Sequence, residues 1–342
     1  MGKAALRSLW AHACRIGGVL GRRERAARDQ LQVLCYHRIL PASEKEAYFC
    51  PDLVVTPEAF RAQCKTLAAH YRVLPLAEAL SALRSGTQDK PLVALTFDDG
   101  YVDNLMYAAP ILSEFGQRAT FFVVSDLMGT TIPPWYDFVA RCVADLAARG
   151  EGCAADGTPA PLDLGLNPMD LVEGAKAFAP EDRTALADRL AERLGQAPLF
   201  PAQDLVMDAA QVRELVAMGH EIGSHSVSHE ILPLLDREAL EREIADSKVR
   251  LEQESGMPVA SFCYPNGDFD ERCLEIVAAQ GYAQAVTTRN GANRRDAEPF
   301  TMRRRFIHEG RLADANGNPS ATLFRAEISG LNDRLRNRGG QS

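Results

Sequence analysis

The sequence has no Cys-x-x-Cys pair, no run of 18 apolar residues, no internal repeat, no low-complexity tract and no excess of positive charge. Each absence excludes something. The eight cysteines are scattered, several inside apolar stretches such as 33–36 and 261–264, where a thiol behaves as a small hydrophobe. Neither a disulfide framework nor a thiolate zinc site is indicated, and a reducing cytoplasm is the expected compartment. Without a long apolar run there is no spanning helix. The N-terminal stretch is interrupted by Arg15 and followed by a basic cluster, which disfavours a secretory signal. A formal net charge of −8 argues against general nucleic-acid binding.

What is present is the composition of a soluble globular chain, long enough at 342 residues for one large α/β core and a substantial insertion. Apolar strands alternate with amphipathic helices. The strand "LQVLCYHRI" is followed by "TPEAFRAQCKTLAAH", a helix announced by Thr56 as cap and Pro57 at its first position. "KPLVALTF", "RATFFVV", "HEIGSHS", "VASFCYP", "YAQAVTT" and "TMRRRFIHE" are further strands, with helices between most of them. This order predicts a parallel sheet or barrel. The rhythm breaks between about 126 and 207, read as a helical insertion in a domain spanning 31–342. The tail "RLRNRGGQS" is expected to be disordered. Residues 1–30 form a separate basic segment, in which Leu6, Leu9, Trp10, Ala13, Ile16 and Leu20 fall near one helical face among Lys3, Arg7, Arg15, Arg22, Arg23 and Arg25. That segment is either a helix packed on the domain or, through residues 1–28, a peripheral contact with an anionic membrane, at the inner face of the cytoplasmic membrane.

Two stretches carry chemistry. "TFDDG" places Asp98 and Asp99 side by side at the mouth of a buried strand, where two carboxylates repel and lose solvation. A cation beside them relieves that cost; alone, the doublet reads as a turn or cap. "GSHSVSHE" sets His225 and His229 four apart, a spacing that on one helical turn points both side chains the same way. Both stretches end predicted parallel strands, the face on which α/β sites assemble. Two His and one carboxylate make a three-ligand set with open positions. The remaining Asp is then free to take a proton from a water that the cation acidifies.

In order and spacing, "TFDDG" and "HSVSH" resemble the first two motifs of the NodB-homology polysaccharide deacetylases, carbohydrate esterase family 4, over about 31–125 and 205–308 with the insertion outside. "CYHRI" resembles the first strand of the exopolysaccharide-associated branch. The resemblance implies a distorted (β/α) barrel with a helical insertion, and a hydrolase removing N-acetyl groups from amino-sugar glycans. It implies Asp98 as general base, Asp99, His225 and His229 as ligands of a divalent metal, usually zinc with cobalt or another ion as alternatives, and His308 of "RRRFIHEG" as general acid. "FCYPNG" resembles the third motif but lacks the Arg that orients the base in many members. Tyr264, with its backbone, and Pro265 would line the groove and assist the oxyanion, and His37 would contact substrate. Trp135 and Tyr136 either stack on sugars or form a small core. The alternatives are another C–N amide substrate (a deformylase or cyclic amidase), a non-catalytic glycan binder, and a membrane-attached assembly factor.

Overall fold

The computed structural model describes residues 3–86, 88–160, 165–331 and 333, with only the backbone of residues 3–8. The tail expected to be disordered, 334–342, and the side chains of Lys3, Leu6 and Arg7 lie outside the described residues.

Seven parallel strands form the main run of a curled nine-stranded sheet: β1 (Gln30–Tyr36), β2 (Leu92–Phe97), β3 (Thr120–Val123), β4 (Glu221–Ser224), β5 (Ser261–Cys263), β6 (Gln284–Val286) and β7 (Arg305–Phe306), with the short pieces Arg72–Val73 and Asn293–Arg294 added beside β2 and β1. From β1 to β6 their spatial order follows the chain, and β7 returns to the free side of β1. Crossovers that pass through helices connect these parallel neighbours. The segment leading into β7 closes the curl. Met302 bridges Val286 of β6, and three residues later Arg305 and Phe306 pair with Leu34 and Cys35 of β1. The result is the distorted barrel that the family resemblance implies.

Strands covered on both faces read as continuous apolar runs, which is why "LVALTF" is buried at every position. Tyr36, Phe97 and Phe121 stack across three neighbouring strands with centroids 5.3 and 4.8 Å apart. The register pairs Tyr36 with Phe97, Phe97 with Phe121, Val123 with Ser224 and Cys263 with Val286. The residues that follow each strand therefore emerge at one end of the barrel. Thr56 caps the helix Pro57–His70 by accepting from the Ala59 amide, as its sequence predicts.

The stretch between β3 and β4 holds the helices Trp135–Ala148, Pro168–Ala175 and Pro180–Leu194. They share an apolar cluster that includes Val139, Leu146, Leu171, Leu186 and Leu190. A polar junction ties this helical module to the barrel. Asp137, on its first helix, accepts from the hydroxyls of Tyr48 at 2.7 Å and Tyr101 at 2.5 Å. The Arg38 guanidinium lies over the Tyr101 ring and pairs with Asp103 and Asp204, both at 2.5 Å. At the N-terminus, helices α1 (Lys3–Ile16) and α2 (Val19–Ala26) precede β1. Among the described residues no helix is long and apolar enough to cross a membrane.

Candidate metal centre and active site

Asp98 and Asp99 turn the chain out of β2. Asp99 sits in the left-handed region at φ 70° and Gly100 at φ 76°. A Cβ on Gly100 would approach Val123 to 3.0 Å, so the doublet has to be followed by glycine. The turn sends the two carboxylates to different partners.

Asp99 faces the histidines. Its Oδ1 lies 3.4 Å from Nε2 of both His225 and His229, and the three side chains are all buried. Nδ1 of His225 bonds the Cys263 carbonyl at 2.8 Å, which leaves Nε2 free toward Asp99, the arrangement expected of a metal-ligating imidazole. Burial pushes the Asp99 carboxyl up, but the two imidazoles outweigh it and hold it well below the usual carboxylate range. The histidine spacing works differently from the helical turn that the sequence suggests. Residues 225–229 form a loop after β4, with Ser226 and His229 at φ 67° and 62°. Glu243 pins that loop by accepting from the amides of Val227 and Ser228, each at 3.0 Å. The left-handed residues, rather than helical periodicity, bring the rings to a centroid separation of 4.8 Å.

The ligand atoms of Asp99, His225 and His229 all lie within 4.8 Å of one another. Two imidazole nitrogens and one carboxylate oxygen lining an open cavity suit a divalent cation of the zinc type and leave positions for other ligands. The donor set fits a metal but does not select among zinc, cobalt and other divalent ions.

Asp98 faces Arg304. The guanidinium forks onto the carboxylate, with Nη1 to Oδ1 at 2.6 Å and Nη2 to Oδ2 at 2.7 Å, and both residues are buried. Arg304 is itself held by the Thr287 carbonyl at 2.9 Å. Burial raises the Asp98 carboxyl, the guanidinium overrides it, and the group settles at about 2. This is the arginine missing from "FCYPNG". Sequence reading passed over it because "RRR" looks like surface charge. Arg304 and Arg305 are instead 2% exposed, and Arg305 bonds Gln32 and Asp333. The signal that could have found it is the position of "RRRF" within the strand that closes the barrel.

The other expected residues divide. His37 lines the cavity, with Nε2 3.8 Å from Asp98 Oδ2, and burial lowers its imidazole below the ordinary value. Tyr264 lines it too, but its hydroxyl bonds the Phe300 carbonyl and its amide bonds Val286, so that amide does not supply the oxyanion donor expected of it. Pro265 is buried and heads the turn Pro265–Gly267 that presents Asn266 and Gly267 to the cavity. His308 does not join the group; it lies outside the cavity lining with Nε2 2.9 Å from Asp52. From the helical module, Trp135 and Tyr136 reach the cavity, and the Tyr136 ring lies 5.1 Å from that of His229. Tyr136 also belongs to the module's apolar cluster, so for this residue both sequence readings apply.

The family model described as polysaccharide deacetylase matches residues 85–152 and 174–285, more than half of the chain. The match extends into both flanks of the 126–207 stretch, which the motifs alone had left outside. The Bacillus subtilis (strain 168) protein YxkH, provisionally named a polysaccharide deacetylase, is 25% identical over 293 residues, covering 84% of this chain and 75% of that protein. The deacetylase PplD of Streptococcus pyogenes, solved in complex with acetate, superposes with a TM-score of 0.59 at 20% identity, covering 87% of this chain and 98% of that one. IcaB from Ammonifex degensii gives a TM-score of 0.56 at 19% identity over 88% and 97% of the two chains.

Proposed function

This chain belongs to the polysaccharide deacetylase family, and from that premise we propose that it hydrolyses N-acetyl groups from amino-sugar residues of a glycan, with a divalent metal held by Asp99, His225 and His229. The observation that carries the reading is the split doublet: one carboxylate turned to two imidazoles, its neighbour clamped by an arginine, both at the floor of one cavity.

Held by Asp99, His225 and His229, such an ion would supply Lewis acidity toward an amide carbonyl and a water. The remaining work falls to side chains of this chain. Asp98, fixed in orientation by Arg304, accepts the proton of the attacking water. His37, neutral at rest because of its burial, stands on the open side of Asp98 and passes that proton to the departing nitrogen. Separations such as this 3.8 Å tighten once substrate is bound. Trp135 and Tyr136 bring aromatic rings to the wall for the faces of sugar rings, and Tyr264 backs that wall from a buried position against Phe269. Atoms balance as amide plus water giving acetate and a free amine.

Acetate release from N-acetylglucosamine oligomers tests the reading, using protein stripped by a chelator and then given Zn²⁺ or Co²⁺. Release should return with the metal. Asp98→Asn should lose about 10²- to 10⁴-fold in kcat while still binding the ion. Asp99→Asn should lose the ion itself. A metal-bound protein without activity on any N-acetylated glycan would sink the acetyl assignment, and a chain that binds no divalent ion would sink the metal.

A further inference from the structure

Residues 1–28 carry seven Lys and Arg against a single acid, Glu24, in a chain whose formal net charge is −8. The structure turns that acid inward. Glu24 accepts from Arg325 at 2.8 and 2.6 Å and from the Tyr71 hydroxyl at 2.8 Å, which fastens α2 to the body. α1 is fastened by Trp10, Ala11 and Cys14, packed on Leu323, Ala326 and Leu331. The opposite side is left outward. Leu9 is 62% exposed, Ile16 82% and Val19 37%. Leu9, Ala13 and Ile16 follow helical spacing along the outer face, and Val19 continues it into α2. Arg15, Arg22 and Arg25 are exposed around this stripe, and among the described residues none has an acidic partner.

Isolated exposed aliphatic residues are ordinary. An apolar stripe bordered only by cations, on a protein that is otherwise acidic, is a different surface. A second copy of the chain would bring like charges together around the stripe. A nucleic acid would meet the arginines but leave Leu9, Ile16 and Val19 in water. An anionic bilayer satisfies both, since its headgroups attract the guanidinium groups and its acyl boundary accepts the aliphatic side chains. We propose that the outer face of α1 and α2 docks this enzyme onto an anionic phospholipid surface. α2 meets the barrel near Gln30, the end of β1 opposite His37, so the contact leaves the catalytic cavity open.

Sedimentation of the full chain with vesicles tests this. It should partition onto phosphatidylcholine vesicles containing phosphatidylglycerol, far less onto phosphatidylcholine alone, and less as salt is added. Each cation near such a surface contributes about fivefold. Arg15→Ala with Arg22→Ala and Arg25→Ala should therefore weaken partition by about 100-fold. Leu9→Asp with Ile16→Asp should weaken it by at least about tenfold. All these positions are exposed, so the unfolding midpoint of each variant should match wild type, and that match separates lost docking from lost folding. Equal partition onto both vesicle types, or partition that both variants leave intact, would overturn the proposal. So would concentration-dependent self-association that the variants abolish, which would assign the face to a second copy.

Discussion

Replacing Arg304 by Met keeps an unbranched apolar stem as far as the Nε position and removes the fork that holds Asp98. The Asp98 carboxyl lies at about 2 against an ordinary 3.8, a preference for the charged form of about 2 kcal/mol that survives after burial has been overcome. The guanidinium supplies more than this, because it must also offset desolvation. Removing one partner of such a buried pair costs about 3–5 kcal/mol of stability. Arg304→Met should lower the unfolding free energy by that amount at neutral pH, and Arg304→Met with Asp98→Asn should recover part of the loss. The pH dependence has a definite sign. A carboxylate whose folded value is depressed contributes stability above its unfolded value, and that contribution disappears as pH falls through the folded one. The difference between wild type and Arg304→Met should therefore vanish toward pH 2, grow as pH rises, and reach its full size only above the value to which burial raises Asp98 in the variant. In the activity profile, the acid limb of kcat/KM should move to higher pH, because burial then raises Asp98 unopposed. Denaturant titrations across pH and a kcat/KM profile measure both effects. A variant less than about 1 kcal/mol weaker than wild type, with an unmoved acid limb, would refute the idea that Arg304 governs the ionisation of Asp98.

Two further substitutions probe the proton path and the junction. His37→Gln should lower kcat by about 10²-fold with little change in KM, whereas His308→Gln, which breaks only a contact with exposed Asp52, should leave kcat within about twofold and cost at most about 1 kcal/mol of stability; the reverse pattern in steady-state kinetics would restore His308 as the acid. Burial raises Asp137 to about 7, so the folded chain binds a proton there that the unfolded chain releases near 4. Wild type should lose roughly 2–4 kcal/mol of stability relative to Asp137→Asn between those two pH values and no more above them, and parallel melting curves across that range would exclude the effect.

Much of this was legible in the chain because it is local. A buried strand announces itself by a continuous apolar run, so the positions of Asp98, His225 and Tyr264 at strand ends follow from pattern alone. The doublet and the paired histidines each sit within a few residues, and their chemistry needs only that the two strand ends meet. Arg304 was not legible for the opposite reason. Its partner is 206 residues away, and nothing in "RRR" distinguishes the side chain that points inward. Asp137 was hidden in the same way, since a carboxylate on an amphipathic helix reads as solvated until Tyr48 and Tyr101 are seen around it. The helical reading of His225 and His229 failed because the left-handed turns at Ser226 and His229 belong to residues that ordinarily avoid them.

The segment that seals the barrel has a consequence for the making of the protein. Arg304 arrives just ahead of β7, the last strand among the described residues, long after the doublet, the histidine loop and the helical module have been synthesised. Until that strand docks between β6 and β1, the nascent chain can gather its imidazoles around Asp99, but it carries an unrestrained base in an unsealed sheet. Closure of the sheet and restraint of Asp98 are thus one event. A molecule truncated before residue 302 should lack the clamp on Asp98 even where Asp99, His225 and His229 still come together.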